Sequence, residues 1–167
     1  MNSIFKRRSV RSYLDKEVEQ EKIEKILKAG MQAPSAMNGQ PWEFIVVKGK
    51  ENLEKLAKVS MYGFPIEKSN VAIVVLFDKS KTIAPKYWQQ DLGAVTQNIL
   101  LEATELDLGS IWIGVAPDED KIEYIQKLYN LNDNFIPYSV VGIGYPKTTQ
   151  ANRFIDRYDE KRVKYIN

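Results

Sequence analysis

The sequence predicts an α+β domain, and three observations carry that reading. Four apolar stretches of strand length, at 44–48, 71–77, 111–115 and 136–144, are rich in β-branched residues. The segments between them place aliphatic residues at helical spacing. No repeat, low-complexity tract or linker interrupts the 167 residues, so 1–167 is expected to form one domain around a sizeable core.

The elements follow in order. After a basic turn at 7–11, Ile23, Ile26, Leu27, Gly30 and Met31 recur at helical spacing, and that helix should stop before Pro34, because a residue preceding proline avoids the helical region. Residues 44–48 read as a strand. Gly49 opens a second helix with Leu53, Leu56 and Ala57 facing inward, and 60–70 reads as a loop punctuated by Gly63 and Pro65. The run 71–77 is apolar at every position, as in a central strand covered on both faces, and Asp78 ends it. The longest helix is expected from about Lys86 to Leu106, with Leu92, Val95, Ile99, Ala103 and Leu106 in one stripe. Gly109 closes that segment, and 111–115 forms a strand. Pro117-Asp118 starts a short helix reaching Tyr129, and 136–144 supplies the last strand. From Tyr145 to Asn167 the chain is polar and charged, with too few aliphatics for a core, and a second subunit is the expected support.

Composition excludes several functions. Cysteine and histidine are both absent, which removes disulfides, thiolate nucleophiles, Cys or His zinc sites and the commonest general base near neutral pH. No metal site and no catalytic side chain are expected, so an enzyme of this composition relies on a cofactor. A net charge of +2 is too mild for nucleic-acid binding. The run 71–77 is too short to cross a bilayer and only Ile4-Phe5 precede the basic turn, so the expectation is a cytoplasmic protein without a signal peptide.

Two motifs carry chemistry. Arg7-Arg8-Ser9-Val10-Arg11 places three guanidinium groups and a hydroxyl in one turn, a donor set suited to a phosphate monoester. Pro34-Ser35-Ala36-Met37-Asn38-Gly39-Gln40-Pro41-Trp42 sets a Ser, an Asn and a Gln on a loop stiffened by two prolines. Such amides can hydrogen-bond ribityl hydroxyls and the polar edge of an isoalloxazine, and the two motifs together describe a flavin mononucleotide (FMN) site. The basic run could instead be a solvated surface, and the loop an ordinary turn; Gln40 before Pro-Trp fits the turn poorly. Gly142-Ile143-Gly144 lacks the third glycine of a dinucleotide fingerprint and is followed by Pro146, so its glycines read as sites of close strand packing. Trp88 and Trp112 read as core or interface residues, and Asp91 as a cap-region or intersubunit hydrogen-bonding group.

Read together, these segments resemble the nitroreductase family of FMN-dependent oxidoreductases. The matching pieces are 7–11, 33–42, Gln90-Asp91-Leu92-Gly93-Ala94 continuing to Gln97-Asn98, Leu108-Gly109-Ser110-Ile111-Trp112-Ile113-Gly114, and Gly142-Ile143-Gly144-Tyr145-Pro146, in the family's order and across nearly the whole chain. The resemblance implies a mixed, mainly antiparallel sheet flanked by helices, in a homodimer with two FMN sites at the interface and the C-terminal tail packed on the partner. It implies that Arg7, Ser9 and Arg11 hold the phosphate and ribityl chain, with Arg8 acting largely through its backbone. Pro34, Ser35, Met37, Asn38 and Gln40 would line the flavin, some from the partner chain. Ile111, Trp112, Ile113 and Gly114 would offer backbone groups to the ring, and Arg157 a second phosphate contact. The chain is short for the family, with little room between Ser60 and Lys86 for insertions that shape substrate pockets, and Lys164 stands where histidine is frequent.

The implied activity passes hydride from NAD(P)H through flavin N5 to a nitroaromatic, quinone or similar small acceptor in a two-step cycle. A flavin-binding or redox-sensing protein without turnover would share every motif. A small basic adaptor for nucleic acid or anionic surfaces would leave the 34–42 loop unexplained.

Overall fold

The computed structural model describes residues 3–148 and 150–166. A short helix α1 (Ser3–Lys6) precedes the basic turn, and α2 (Gln20–Met31) stops three residues before Pro34. There follow β1 (Trp42–Val47), α3 (Lys50–Ala57), α4 (Phe64–Glu67) and β2 (Val71–Asp78). The chain continues through α5 (Trp88–Glu105), β3 (Gly109–Gly114), α6 (Glu119–Tyr129) and β4 (Phe135–Gly144). Strand ends shift by one or two residues from the sequence reading, and two differences concern helices. The 60–70 loop contains α4, which Pro65 can enter because the first turn of a helix needs no N–H from it. The long helix begins at Trp88, because Pro85–Tyr87 winds as a tighter 3₁₀ turn.

The sheet order is β1-β2-β4-β3, with every neighbour antiparallel. The parallel component is one isolated bridge, Ser9 to Ser110. All eight residues of β2 are buried, because helices cover both faces of the sheet. Ile73, Val75 and Phe77 face a cluster with Ile23 and Ile26 of α2 and Leu92, Val95 and Ile99 of α5. Ala72, Val74 and Leu76 face Leu53 and Leu56 of α3, Ile66 of α4 and Ile125 of α6. Strand alternation thus sorts one continuous apolar run into two cores.

Close approaches fix the frame. Gly142 reads correctly as a packing glycine: a Cβ there would lie 2.9 Å from Ile66 Cδ1 and 3.1 Å from Ile111 Cγ2. Trp88 and Trp112 belong to a row of rings beside the α5-side core. Trp88 stacks on Phe77 at 4.8 Å between centroids and meets Tyr138 edge-on at 5.9 Å, and Trp112 lies 5.9 Å from Tyr138.

The tail behaves as its composition requires, though its departure comes later than Tyr145. Tyr145 packs on the core and Pro146 bridges to Tyr13. Residues 153–166 are exposed, with Phe154, Tyr158, Tyr165 and Ile166 each more than 60 % accessible. Asn167, the end of the expected tail, lies outside the described residues.

Candidate functional site

The basic turn runs beside the start of β3. Val10 N–H donates to Ser110 O at 2.9 Å, next to the Ser9 bridge. Residue 109 must be small for this approach, since a Cβ there would sit 2.7 Å from Val10 Cβ. Beneath the turn Tyr13 Oη donates to Val10 O at 2.6 Å, and burial pushes the Tyr13 phenol well above its ordinary range.

This placement crowds four arginines. Arg7 and Arg8 are half-buried, and the tail brings Arg153 and Arg157 up to them. Burial and then the Arg157 charge lower the Arg7 pKa; burial, Arg157, Arg7 and Arg153 together lower that of Arg8. Among the described residues the one arginine–carboxylate ion pair is Arg162 with Asp159, so the crowd has no acidic partner there. Arg8 Nε and Nη2 are buried without a hydrogen-bond partner. Crowded like charges beside two buried, unpartnered Arg8 nitrogens favour a counter-ion, so the donor set of this corner suits an anion.

Arg8, expected to act largely through its backbone, has its N–H held by the tail. Its N–H donates to Asn152 Oδ1 at 3.3 Å, while Asn152 Nδ2 donates to Leu108 O at 2.9 Å. The Arg8 N–H is thus engaged inside the protein, and of its guanidinium Nη1 donates to Arg7 O at 2.5 Å while Nε and Nη2 stay without a partner. Arg11 is exposed and turns back on the main chain, donating to Ser9 O at 3.2 Å. It borders a cleft of about 730 Å³ shared with Lys48, Lys50 and Lys68. A larger cleft of about 770 Å³, lined by Lys6, Glu105, Asp107 and Lys147 among others, contains none of the residues selected from sequence.

Ile111 to Gly114 lie on β3, at the edge of the sheet, so their outward backbone groups have no strand partner. Ile111 and Ile113 bury their side chains, and Trp112 points to the opposite face. Ile111 and Ile113 can therefore offer only their main chain to a ligand along that edge, while Trp112 stays half-buried on the other face.

The 34–40 loop is held in an unusual shape. Ala36–Asn38 forms a 3₁₀ turn, and Met37 (φ 55°), Asn38 (φ 55°) and Gln40 (φ 48°) all lie in the left-handed region. Each such non-glycine residue costs on the order of 1 kcal/mol, so neighbours must hold it. Gln40 N–H donates to Ser35 Oγ at 3.0 Å, and Gln40 Nε2 to Asn38 Oδ1 at 3.1 Å. Asp91, in the first turn of α5, accepts from Ala36 N–H at 2.9 Å. This fixes the sequence reading of Asp91 as a cap-region group and gives it a partner within its own chain. Pro34, Met37, Asn38 and Gln40 are exposed and Ser35 half-buried, so the loop presents its polar groups outward.

The two halves of the expected site do not meet within one chain. Ser9 lies beside Ser110, which pairs with Ile143 of β4, whereas the loop enters β1 at Trp42, opposite Phe77 and in turn Ile136. These are diagonal corners of the sheet, three strand spacings and seven residues apart, on the order of 25 Å. One mononucleotide cannot bridge that diagonal.

The profile of the nitroreductase family matches residues 4–69 and 61–145. The chain belongs to the nitroreductase family. Among nitroreductase relatives, a Methanothermobacter thermautotrophicus protein provisionally named NADH dehydrogenase/NAD(P)H nitroreductase is 44 % identical over 163 residues, 98 % of this chain and 84 % of that one. A solved structure from Clostridium acetobutylicum, provisionally named an NADH oxidase, is 46 % identical with a TM-score of 0.94 and covers 97 % of both chains. A third, from Desulfovibrio desulfuricans and provisionally named a nitroreductase, was solved in complex with FMN. It is 28 % identical with a TM-score of 0.84, covering 99 % of this chain and 95 % of its own. The antiparallel sheet flanked by helices is therefore the nitroreductase fold.

Sequence reasoning missed Asn152 and Arg153, because the tail shows no motif. The i, i+4 spacing of Arg153 and Arg157 was the one available signal for a second pair of cations.

Proposed function

We propose that the protein is an FMN-dependent NAD(P)H oxidoreductase that reduces a nitroaromatic, quinone or similar small acceptor. The observation that carries this reading is the arginine crowd at 7, 8, 153 and 157, with two Arg8 nitrogens buried and unpartnered. A terminal phosphate supplies the charge and the forked acceptors that such a cluster requires, and Ser9 and Arg11 add a hydroxyl and a further cation on its exposed side. FMN held there would supply the redox chemistry, a hydride relay through flavin N5 between NAD(P)H and the acceptor, as a two-step, ping-pong cycle requires.

The chain binds, orients and excludes water. The outer edge of 111–114 offers main-chain donors and acceptors to the ring. The 34–40 loop offers the Ser35 hydroxyl and the Asn38 and Gln40 amides, with Pro34 and Met37 as apolar walls. Because these halves sit at opposite corners of the sheet, the site is completed by a second copy: Arg7 to Arg11, 111–114 and Arg157 come from one subunit and Pro34 to Gln40 from its partner. The same arrangement gives the exposed tail a surface to cover. Residues 1–167 then act as one FMN-binding domain within a homodimer, in the cytoplasm where NAD(P)H is the available reductant.

Release of the cofactor by heat, followed by chromatography, should recover mainly FMN; recovery of FAD, or no flavin after reconstitution, refutes the assignment. With loaded protein, initial rates of NADH or NADPH oxidation against a quinone should give parallel double-reciprocal lines. Intersecting lines reject the two-step cycle, and absence of turnover with every acceptor class leaves a flavin-binding protein without catalysis.

A further inference from the structure

Asp91 is only 5 % exposed, and nothing in the proposed reaction uses it. Its Oδ1 accepts from Ala36 N–H, its Oδ2 is buried without a partner, and no cation lies within ion-pair distance of it among the described residues. A carboxylate buried with a single hydrogen bond and no counter-charge is an expensive way to fill space. That one bond therefore explains its position.

The bond falls where the loop needs it. The 36–38 turn begins with an N–H that has no partner inside the turn. Ser35 stands at the capping position but makes no side-chain cap, because its Oγ is occupied by Gln40 N–H. Asp91 supplies the cap from outside, from the first turn of an 18-residue helix packed on the sheet, where the helix dipole also favours a negative charge. One end of the strained loop is thereby tied to the longest helix of the fold. On its other flank Gly39 lies against the main chain at Lys81 and Ile83.

We infer that Asp91 is a positioning residue: its carboxylate caps the 36–38 turn and so holds the loop in the shape, with Ser35 extended and Asn38 and Gln40 left-handed, from which these residues meet the flavin. This rests on the flavin reading above for its consequence, but the cap itself can be measured without flavin. In the flavin-free protein, amide exchange at Ala36 should accelerate at least tenfold in Asp91→Ala, while the amides of β2 stay protected. Asp91→Asn keeps an acceptor for Ala36 and should stay within about threefold of wild type. Should Asp91→Ala fail to fold, Asp91→Ser, whose hydroxyl is too short to reach Ala36, replaces it.

The functional arm compares FMN with riboflavin, which lacks the phosphate. Asp91→Ala should weaken both by the same factor, at least tenfold, leaving their ratio unchanged, whereas Arg7→Ala should weaken FMN alone. Ala36 exchange that is unchanged in Asp91→Ala overturns the proposal, and so does Asp91→Asn behaving like Asp91→Ala. Loss of the FMN-to-riboflavin ratio in Asp91→Ala overturns it too, since that is the mark of general damage reaching the phosphate end. If wild-type protein binds neither flavin, the functional reading fails while the exchange result still decides the cap.

Discussion

Cutting the chain after Asn152 should separate folding from assembly. Every residue of the two buried clusters lies before 144, and 153–166 is exposed, so the truncated chain keeps its core. It also keeps the Asn152 bonds to Arg8 and Leu108. What it loses is surface that one chain leaves uncovered, together with Arg153 and Arg157 of the arginine crowd. The accessible surface is 10238 Å², against about 8400 Å² for a compact monomer of this mass. In the proposed homodimer, covering that excess of about 1800 Å² on each chain would make an interface well beyond the roughly 2000 Å² of obligate dimers. Phe154, Ile155, Tyr158, Val163, Tyr165 and Ile166 supply the apolar part. At the low end of about 1.5 kcal/mol for each buried side chain, six anchors amount to about 9 kcal/mol per tail. A dimer buries two such tails, so if half survives the cost of ordering them, the dissociation constant rises by about six decades on truncation. Sedimentation velocity with absorbance at 280 and at about 450 nm reads mass and flavin together, the latter wavelength chosen for oxidised flavin. The expected result is a folded, flavin-poor monomer at micromolar concentration. A truncated chain that remains a flavin-loaded dimer, or a full-length chain that is a flavin-loaded monomer, refutes the reasoning.

Two further outcomes follow from particular contacts. Arg7→Ala should weaken FMN by about 1.5–3 kcal/mol, the range for a hydrogen bond to a charged group, while riboflavin binding and the thermal midpoint of the apoprotein stay within error; titration of apoprotein by flavin fluorescence checks it. At Asp78, burial pushes the carboxyl up, but Ser80 N–H at 2.9 Å, Ser80 Oγ at 2.6 Å and Lys81 outweigh it, so the folded pKa lies below the ordinary value. Stability from these bonds is complete above the unfolded carboxylate pKa near about 4 and is lost as pH falls through the lower folded value. Asp78→Asn should therefore cost about 1.5–3 kcal/mol at pH 7 and lose less than wild type on going to pH 2.5. Parallel urea-midpoint profiles for the two proteins would contradict this.

The strands and main helices were legible because each is written in a local period. Residues 71–77 are apolar at every position and so needed cover on both sides, and the 92–106 stripe could only be a long helix against a sheet. The basic turn and the proline-bounded loop were legible as chemistry, because few structures call for Arg-Arg-Ser or Asn-Gly-Gln at those spacings. Their relation was not. That they occupy opposite corners of the sheet depends on the β1-β2-β4-β3 order, a long-range fact no local pattern encodes. The same holds for Asn152 with Arg8 and Asp91 with Ala36, each joining residues 55 or more apart by one hydrogen bond. The Asn152 contact of Arg8 was hidden because it lies in a tail whose composition signals no contact.

The diagonal separation of the two half-sites has a genetic consequence. In a dimer assembled across it, every chain lends its arginine corner to one cofactor and its loop corner to the other. An allele defective at Arg7 and a second allele defective in the 36–40 loop each yield homodimers with two damaged sites. Co-expressed, they form mixed dimers in which both lesions fall on the same cofactor and the opposite cofactor sees two intact halves. The alleles should complement one another, with one working site per mixed dimer, whereas two alleles that both alter the arginine corner should not.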